Sequence, residues 1–335
     1  MPATGGIAQY PWFGMTLMRS PLPGLIGSRL AEHGLDAQAC LGAFGLQRAL
    51  QDSHVVAEVE TLAAFYDDAA RRLNQPDLGL EMVSAVERGA YGLAEFGIRA
   101  APTMREAIVR LARFSVLLNE ATVVEVEETP RTLEVHQRIP GHPIAGGRHS
   151  NEYFIAVLLV GAHAITEGGL IAAEVWFAHP APADLSRHRA IFGDGKLCFD
   201  RPDNGFALSL EAAARPLASA DPELMRAIDH QATALLASRS GHNEFIGRVR
   251  ECSANTLRDG SSSLADVAQL LAMTPRTLQR RLAELDTSFR EVLDGLRKEL
   301  HTRLAAQGVC AQEIAFRLGY ADMGSFRRAQ RRRSD

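Results

Sequence analysis

Cysteine is scarce in this chain of 335 residues: Cys40, Cys198, Cys252 and Cys310 lie far apart, with no CxxC pair and no histidine at ligand spacing. That scarcity excludes a disulfide framework and argues against a zinc site, and it fits a reducing cytoplasm. Long apolar runs are missing too. The longest, residues 153–165 ("YFIAVLLVGAHAI"), contains Gly and His and is too short to span a bilayer, so a buried helix is expected there. The opening "MPATGGIAQYPWFGMTLMRS" has no basic segment followed by a continuous apolar run, and no secretory leader is expected. No repeat at solenoid spacing and no low-complexity tract occurs. "GDGK" at 193–196 lacks the flanks of a phosphate-binding loop, and Ser150 sits in no nucleophile elbow. Lysine is nearly absent: only Lys196 and Lys298 stand among 36 basic residues.

What is present fits a globular chain of two domains, with 46% apolar and 23% charged residues and a mean hydropathy of −0.07. The net charge of −4 is unevenly spread. From residue 241 onward there are 16 Lys and Arg against 12 Asp and Glu, whereas residues 1–240 carry 20 against 28. An acidic body with a basic end suggests a polyanion-binding module attached to something else.

The first 120 residues read as mostly helical. "LIGSRLAEHGL" stops at Gly34, "EVETLAAFYDDAARRLN" runs to "QPDLGL", and "TMREAIVRLARFSVLLNE" starts with Thr103 as N-cap and Glu106 three residues on. The period then changes. Val124/Val126 and Leu133/Val135 alternate around "ETPR", a hairpin pattern, and "LIAAEVWFAH" (170–179) reads as a further strand. Phe192, Leu197/Phe199 and Phe206/Leu208/Leu210 suggest short strands. An α+β domain over residues 15–237 is expected, with a helix from about 221 to 237. "SRSGHN" (238–243) is small, polar and helix-breaking, and is expected to be the linker.

From Phe245 onward everything reads as helix. "SSSLADVAQLLAMTPRTLQRRLAEL" (261–285) holds two amphipathic segments, with Leu264, Val267, Ala268 and Leu271 on one face of the first and Leu278, Leu282 and Leu285 on the second. Thr274 is an N-cap and Pro275 the first helical residue. Two short helices joined this tightly form a helix-turn-helix, whose second helix offers its N-terminal residues to base edges in the major groove. Its outward residues are Arg276, Thr277, Gln279, Arg280 and Arg281. Arg suits guanine, Gln suits adenine, and further Arg and Thr suit phosphates. The pattern recurs in "AQEIAFRLGYADMGSFRRAQ", with Ile314, Ala315 and Leu318 on one face, Gly319 as stop and Phe326 and Ala329 anchoring the next helix. Between the units, residues 288–306 read as a capped helix with Phe289, Val292, Leu293, Leu296, Leu300 and Leu304 inward. Such a helix could hold two recognition helices about one DNA turn, roughly 34 Å, apart.

Residues 261–329 resemble the DNA-binding domain of AraC/XylS-type bacterial transcription regulators. The stretches that carry the likeness are "LADVAQLLAMTPRTLQRRL", "TSFREVLDGLRKEL", "EIAFRLGYAD" and "SFRRA". "PDLGLEM", "YGLAEFGIRAAPTMREAIVRLARF" and "FALSLEAAARPLASADPEL" are similar to the arabinose-binding-domain-like effector domain of the subgroup with ornithine-utilisation and virulence regulators. The resemblance implies an α+β effector domain, then an all-α domain at 244–335. In that domain the first helix-turn-helix lies at 264–285, the linker helix at 288–306 and a curtailed second unit at 311–331. It implies base contacts from Arg276, Gln279 and Arg280 in the first unit and Ser325 and Arg328 in the second, with Arg327 a further candidate and Thr274 a capping phosphate contact. The implied partners are operator DNA, a small-molecule effector, RNA polymerase and a second copy of the chain, in the cytoplasm at the nucleoid, with no membrane, metal or cofactor.

Three departures from the family pattern stand out. Gln330 and Arg333 occupy positions that are usually aromatic, and Asp286 replaces a usual Gly. The family usually continues into one more short helix, whereas this sequence stops at Asp335. Burying Gln330 and Arg333 without partners would cost about 1–3 kcal/mol or more each, so they are expected to face solvent and the helix to fray beyond Ala329. Two alternatives to a two-headed regulator remain at this point. One is a ligand sensor with a defective second unit. The other is an enzyme using His136, His142, His149 or Glu152, with its arginines as a nonspecific anchor.

Overall fold

A computed structural model of the chain describes residues 16–166, 169–258, 262–285, 287–306, 309–320 and 322–334, with side chains except at 238–244, 258, 299, 302, 303, 306 and 329–334. The described residues fall into two compact units, residues 16–235 and residues from 236 onward.

In the first unit β1 (Leu17–Ser20) leads into α1 (Leu22–Glu32) and α2 (Ala37–Gly42). β2 (Val55–Glu58) pairs antiparallel with β1 and opens α3 (Val59–Leu73). This small ribbon inside a stretch expected to be helical carries only four residues per strand, too few for a period to show. The helices stop where expected: Gly34 and Asn74 take left-handed conformations, φ +74° and +51°. Leu22, Ile26, Leu62, Phe65 and Tyr66 bury the apolar faces of α1 and α3 in a first core.

α4 (Leu78–Glu81), α5 (Gly92–Arg99) and α6 (Met104–Leu118) follow, Thr103 capping α6 by accepting from the Glu106 N–H at 3.3 Å. The period change after residue 120 is real. β3 (Val123–Glu128) and β4 (Thr132–Arg138) form the expected hairpin. The apolar run becomes α7 (Gly147–Ile165). Gly79 lets α4 lie against it, since a Cβ there would sit 2.2 Å from the His149 carbonyl oxygen. β5 (Glu174–Trp176), α8 (Ser186–Phe192), β6 (Lys196–Cys198), β7 (Asn204–Ser209) and α9 (Leu210–Ala213) complete the layer. The five strands order as β3-β4-β7-β5-β6, antiparallel except for β5 and β6.

Phe192 and Leu210, expected in strands, belong instead to helices. Phe192 follows buried His188 by one helical turn, and Leu210 starts α9 behind the Ser209 cap. One face of the sheet (Leu133, Val135, Val175, Phe206, Leu208) packs on Ile108 and Leu111 of α6 and Ile155 and Leu159 of α7, forming a second core.

α10 (Pro222–Arg258) carries the chain across the unit boundary. Its first turns are pinned by Arg110, which makes a two-pronged ion pair with Asp229, and by Arg113, which donates to Thr233 at 2.9 Å. Residues 238–243, expected to break the chain, are helical inside α10. A single Gly costs a helix only about 1 kcal/mol, which long flanking segments of good helix formers outweigh.

In the second unit α11 (Leu264–Leu270) begins with a reciprocal capping box between Ser263 and Asp266. α12 (Pro275–Ala283), α13 (Phe289–Ala306), α14 (Ala311–Arg317) and α15 (Met323–Ser334) follow. Val249 of α10, Val267, Ala268, Leu271, Leu278, Leu282 and Val292 make one small core; Leu304, Ile314, Ala315, Leu318 and Phe326 make another. α13 contributes to both and to a third cluster through Leu293 and Leu296, so the inward stripe read from the sequence is the spine of this unit. α15 runs to Ser334, past the expected fraying point at Ala329. Helix propensity explains that: Arg and Gln sustain a helix without a buried partner. The side chains of Ala329, Gln330 and Arg333, and all of Asp286, lie outside the described residues.

Candidate nucleic-acid interface and effector cavity

α12 is placed by its own sequence. Thr274 takes an extended conformation, its hydroxyl accepts from the Thr277 N–H at 3.2 Å, and Pro275 supplies a preset φ. Leu278 and Leu282, both fully buried, lock one face to the core. Arg276, Gln279 and Arg280 consequently lie on the opposite, exposed face. Arg280 makes only a loose contact with Glu284, at 3.6 Å. Thr277 is tied to Thr274 through their hydroxyls at 2.8 Å. Arg281, expected outward with the others, is exposed but lies over the Phe245 ring of α10, 5.2 Å from its centroid. It flanks the face instead of sharing it.

The second helix-turn-helix repeats this plan with different atoms. Ala272 and Gly319, one after each leading helix, both take positive φ, +54° and +70°. Asp322 replaces Thr274 as the cap: its carboxylate accepts from the Ser325 N–H and hydroxyl, each at 2.8 Å. The Ser325 N–H, then its hydroxyl, hold the Asp322 carboxyl below the usual carboxylate range. The Ser325 hydroxyl also accepts from Arg328 Nη2 at 2.9 Å. Arg327 and Arg328 are exposed and Ser325 half-buried, while Phe326 is buried on the opposite face. Arg297 of α13 fastens this unit, donating through Nε to the Leu318 carbonyl at 2.9 Å with its guanidinium 4.7 Å from the Tyr320 ring centroid.

The first unit holds a cavity of about 330 Å3 between α5, α6, α7 and β7. Met104, Ile108 and Leu111 of α6, Phe154 and Leu158 of α7 and Phe206 of β7 give it apolar walls. Its polar side chains all come from residues 87–99. Glu95 holds the rim by accepting from the N–H groups of Gly89 (3.0 Å) and Tyr91 (3.3 Å) and from Arg99 Nε (3.1 Å). The Tyr91 hydroxyl meets that of Tyr153 at 2.8 Å, and burial pushes the Tyr91 phenol up to about 12.

The histidines considered for acid–base or metal chemistry lie apart. His136 faces Asp203 at 3.0 Å, His142 faces Glu60 at 3.1 Å, and His149 lies 3.8 Å from Asp67. Among the described residues no group of three or more His, Cys, Asp or Glu could hold a metal ion. Glu152 is the centre of a buried polar hub. Its Oε1 accepts from Arg148 Nε and His188 Nε2, each at 2.8 Å, and lies 3.7 Å from His179 Nε2. Burial works to raise the Glu152 carboxyl, but the His188 hydrogen bond and Arg148 outweigh it and leave the group below its ordinary value. Burial pushes His179 the other way, favouring its neutral form.

Sequence reading missed Asp322, Arg297 and the residues that line the cavity. Asp322 could have been found, because an Asp three residues before Ser325 at the start of an amphipathic segment is an N-cap signal. Arg297 and the cavity walls carry no local pattern.

A family model described as the arabinose-binding domain of AraC transcription regulator, N-terminal, matches residues 34–217, and a helix-turn-helix domain model matches residues 267–334. The ornithine utilization regulator of Pseudomonas aeruginosa is 27% identical over 318 residues, 90% of this chain and 89% of that protein. The HTH-type transcriptional regulator VirS of Mycobacterium tuberculosis is 27% identical over 317 residues, again 90% and 89%. A solved structure, the transcriptional regulator CdpR from Pseudomonas aeruginosa, shares 23% identity over 92% of this chain and 94% of its own, with a TM-score of 0.43. The effector-domain match alone spans more than half of the sequence, and the chain belongs to the AraC family of transcription regulators, with an arabinose-binding-type effector domain before a helix-turn-helix DNA-binding domain.

Proposed function

We propose that α12 and α15 read base edges in two successive major grooves, and that a small molecule in the α5–α6–α7 cavity sets how well they do so. Arg276, Gln279 and Arg280 contact bases in the first groove, Ser325 and Arg328 in the second, with Arg327 beside them. Thr274, Thr277 and Arg281 position the first helix on phosphates. The observation that carries this reading is that both second helices bury one apolar residue pair or ring into a core shared with α13 and leave Arg276, Gln279 and Arg280 on the first and Arg327 and Arg328 on the second exposed. Regulation rather than catalysis, contact with RNA polymerase, pairing of two copies and action at the nucleoid in the cytoplasm complete the proposal.

Arg280→Ala tests it. The variant should lose about 1–3 kcal/mol of discrimination at one base position, roughly 5- to 150-fold, while unfolding like the wild type. Arg281→Ala should instead weaken binding evenly across sequences and flatten the salt dependence. Unchanged base preference in Arg280→Ala, measured by competition with single-base operator variants, would remove Arg280 from the base-reading set.

A further inference from the structure

The cavity of the effector domain is built for a different chemistry than the sugar in its family's description. About 330 Å3 is roughly twice the size of an apolar cavity of about 150 Å3 that accommodates benzene, so it suits a body of about a dozen heavy atoms. Of the side chains around it only Glu87, Arg88, Tyr91, Glu95 and Arg99 are polar, and all five come from one segment, residues 87–99. Most of that polarity is already used. Both Glu95 oxygens accept from the protein, and the Tyr91 hydroxyl is engaged with Tyr153. A pentose or a zwitterionic amino acid would bring several polar groups against apolar walls, each costing about 1–3 kcal/mol when left unpaired.

What stays unused on that segment is mostly donors. Arg99 is half-buried and commits only its Nε to Glu95; Arg88 makes no hydrogen bond or ion pair among the described residues. The one uncommitted acceptor, the Glu87 carboxylate, is exposed, as is Arg88, which leaves half-buried Arg99 as the main free donor. Free guanidinium donors beside an apolar chamber fit a carboxylate, which Arg recognises through two parallel hydrogen bonds. Within the effector reading of this cavity, on which the inference rests, we infer that the effector is a mainly apolar monocarboxylate, its body among α6, α7 and β7 and its head at Arg99 and Arg88.

Gly161 provides a clean control. It lines the cavity on α7, and a Cβ built there meets nothing within 4 Å, so Gly161→Leu branches off the helix without a clash at Cβ, takes up cavity space and has better helix propensity. The experiment is thermal unfolding and calorimetric titration of the full chain with decanoate, 1-decanol, L-arabinose and L-ornithine. Decanoate should raise the unfolding temperature and bind saturably, and decanol should bind at least about tenfold more weakly. The sugar and the amino acid should have no effect. Arg99→Gln should abolish the preference for acid over alcohol, and Gly161→Leu should lose decanoate binding while unfolding no earlier than wild type. Stabilisation by arabinose or ornithine, no response to decanoate, or equal decanoate binding by Gly161→Leu would overturn the inference. Operator binding is followed in the same titrations and separates the two readings. Decanoate that fills the cavity without changing DNA affinity defeats the effector role alone; arabinose that changes DNA affinity defeats the ligand class alone.

Discussion

Replacing Phe326 with alanine should cost about 3–5 kcal/mol and disable the second helix-turn-helix while leaving the first folded. Phe326 is the largest side chain of a core with only four other buried members, Leu304, Ile314, Ala315 and Leu318. Its ring meets Tyr320 at 5.5 Å and His301 at 5.7 Å between centroids, so its removal also loosens the turn that Arg297 fastens. A core this small has little stability to lose, and local unfolding of α14 and α15 follows. Hydrogen exchange should show α14 and α15 losing protection while α11 and α12 keep theirs, and operator affinity should fall. Uniform loss across both units would mean that they fold as one; unchanged exchange would mean that Phe326 anchors nothing.

Glu152→Ala should destabilise the effector domain by about 1–3 kcal/mol, because it leaves fully buried His188 without its partner, while Arg148 keeps only its ion pair with Asp77. The pH dependence follows from the directions of the shifts. Glu152 lies below its ordinary 4.5 in the folded chain, so its contribution is complete above that value and is lost as pH falls through the folded pKa. His179 lies below its ordinary 6.5, so the fold favours its neutral form, and that contribution too is lost on acidification. Wild-type stability should therefore begin to decline below about pH 6.5 and decline more steeply below about pH 4.5. Glu152→Ala should have a smaller lower step, with Asp229, which Arg110 holds below its ordinary value, keeping its share. Urea unfolding between pH 7 and pH 4 measures this, and an identical acid profile in the two proteins would exclude Glu152 as the source.

The DNA-binding unit was legible because its determinants are local. Ser263, Thr274 and Ser288 cap their own helices, and the stripe on α13 repeats every three or four residues, so sequence spacing and packing coincide. The extent of α15 was misjudged because partner loss was weighed and helix propensity was not. In the effector domain the hairpin and α7 announced themselves through period and length. β5 and β6 showed as strands too, within 170–179 and at Leu197, but their three-residue length is set by pairing with β7 and with each other and was not legible. The Glu152 hub joins residues 77, 148, 179 and 188, and the cavity joins residues 83 to 208; both exist only after the chain has closed. The contact of exposed Arg281 with Phe245 was illegible for the same reason, because the two lie 36 positions apart.

Selection of binding sites from a random duplex library by the full chain, read by sequencing, tests the central claim most directly. The enriched DNA should carry two conserved subsites about 10–10.5 base pairs apart, one of which loses its preference in Arg280→Ala and the other in Arg328→Ala. A single subsite, or two that both survive these substitutions, would contradict the assignment of α12 and α15 as the two reading helices.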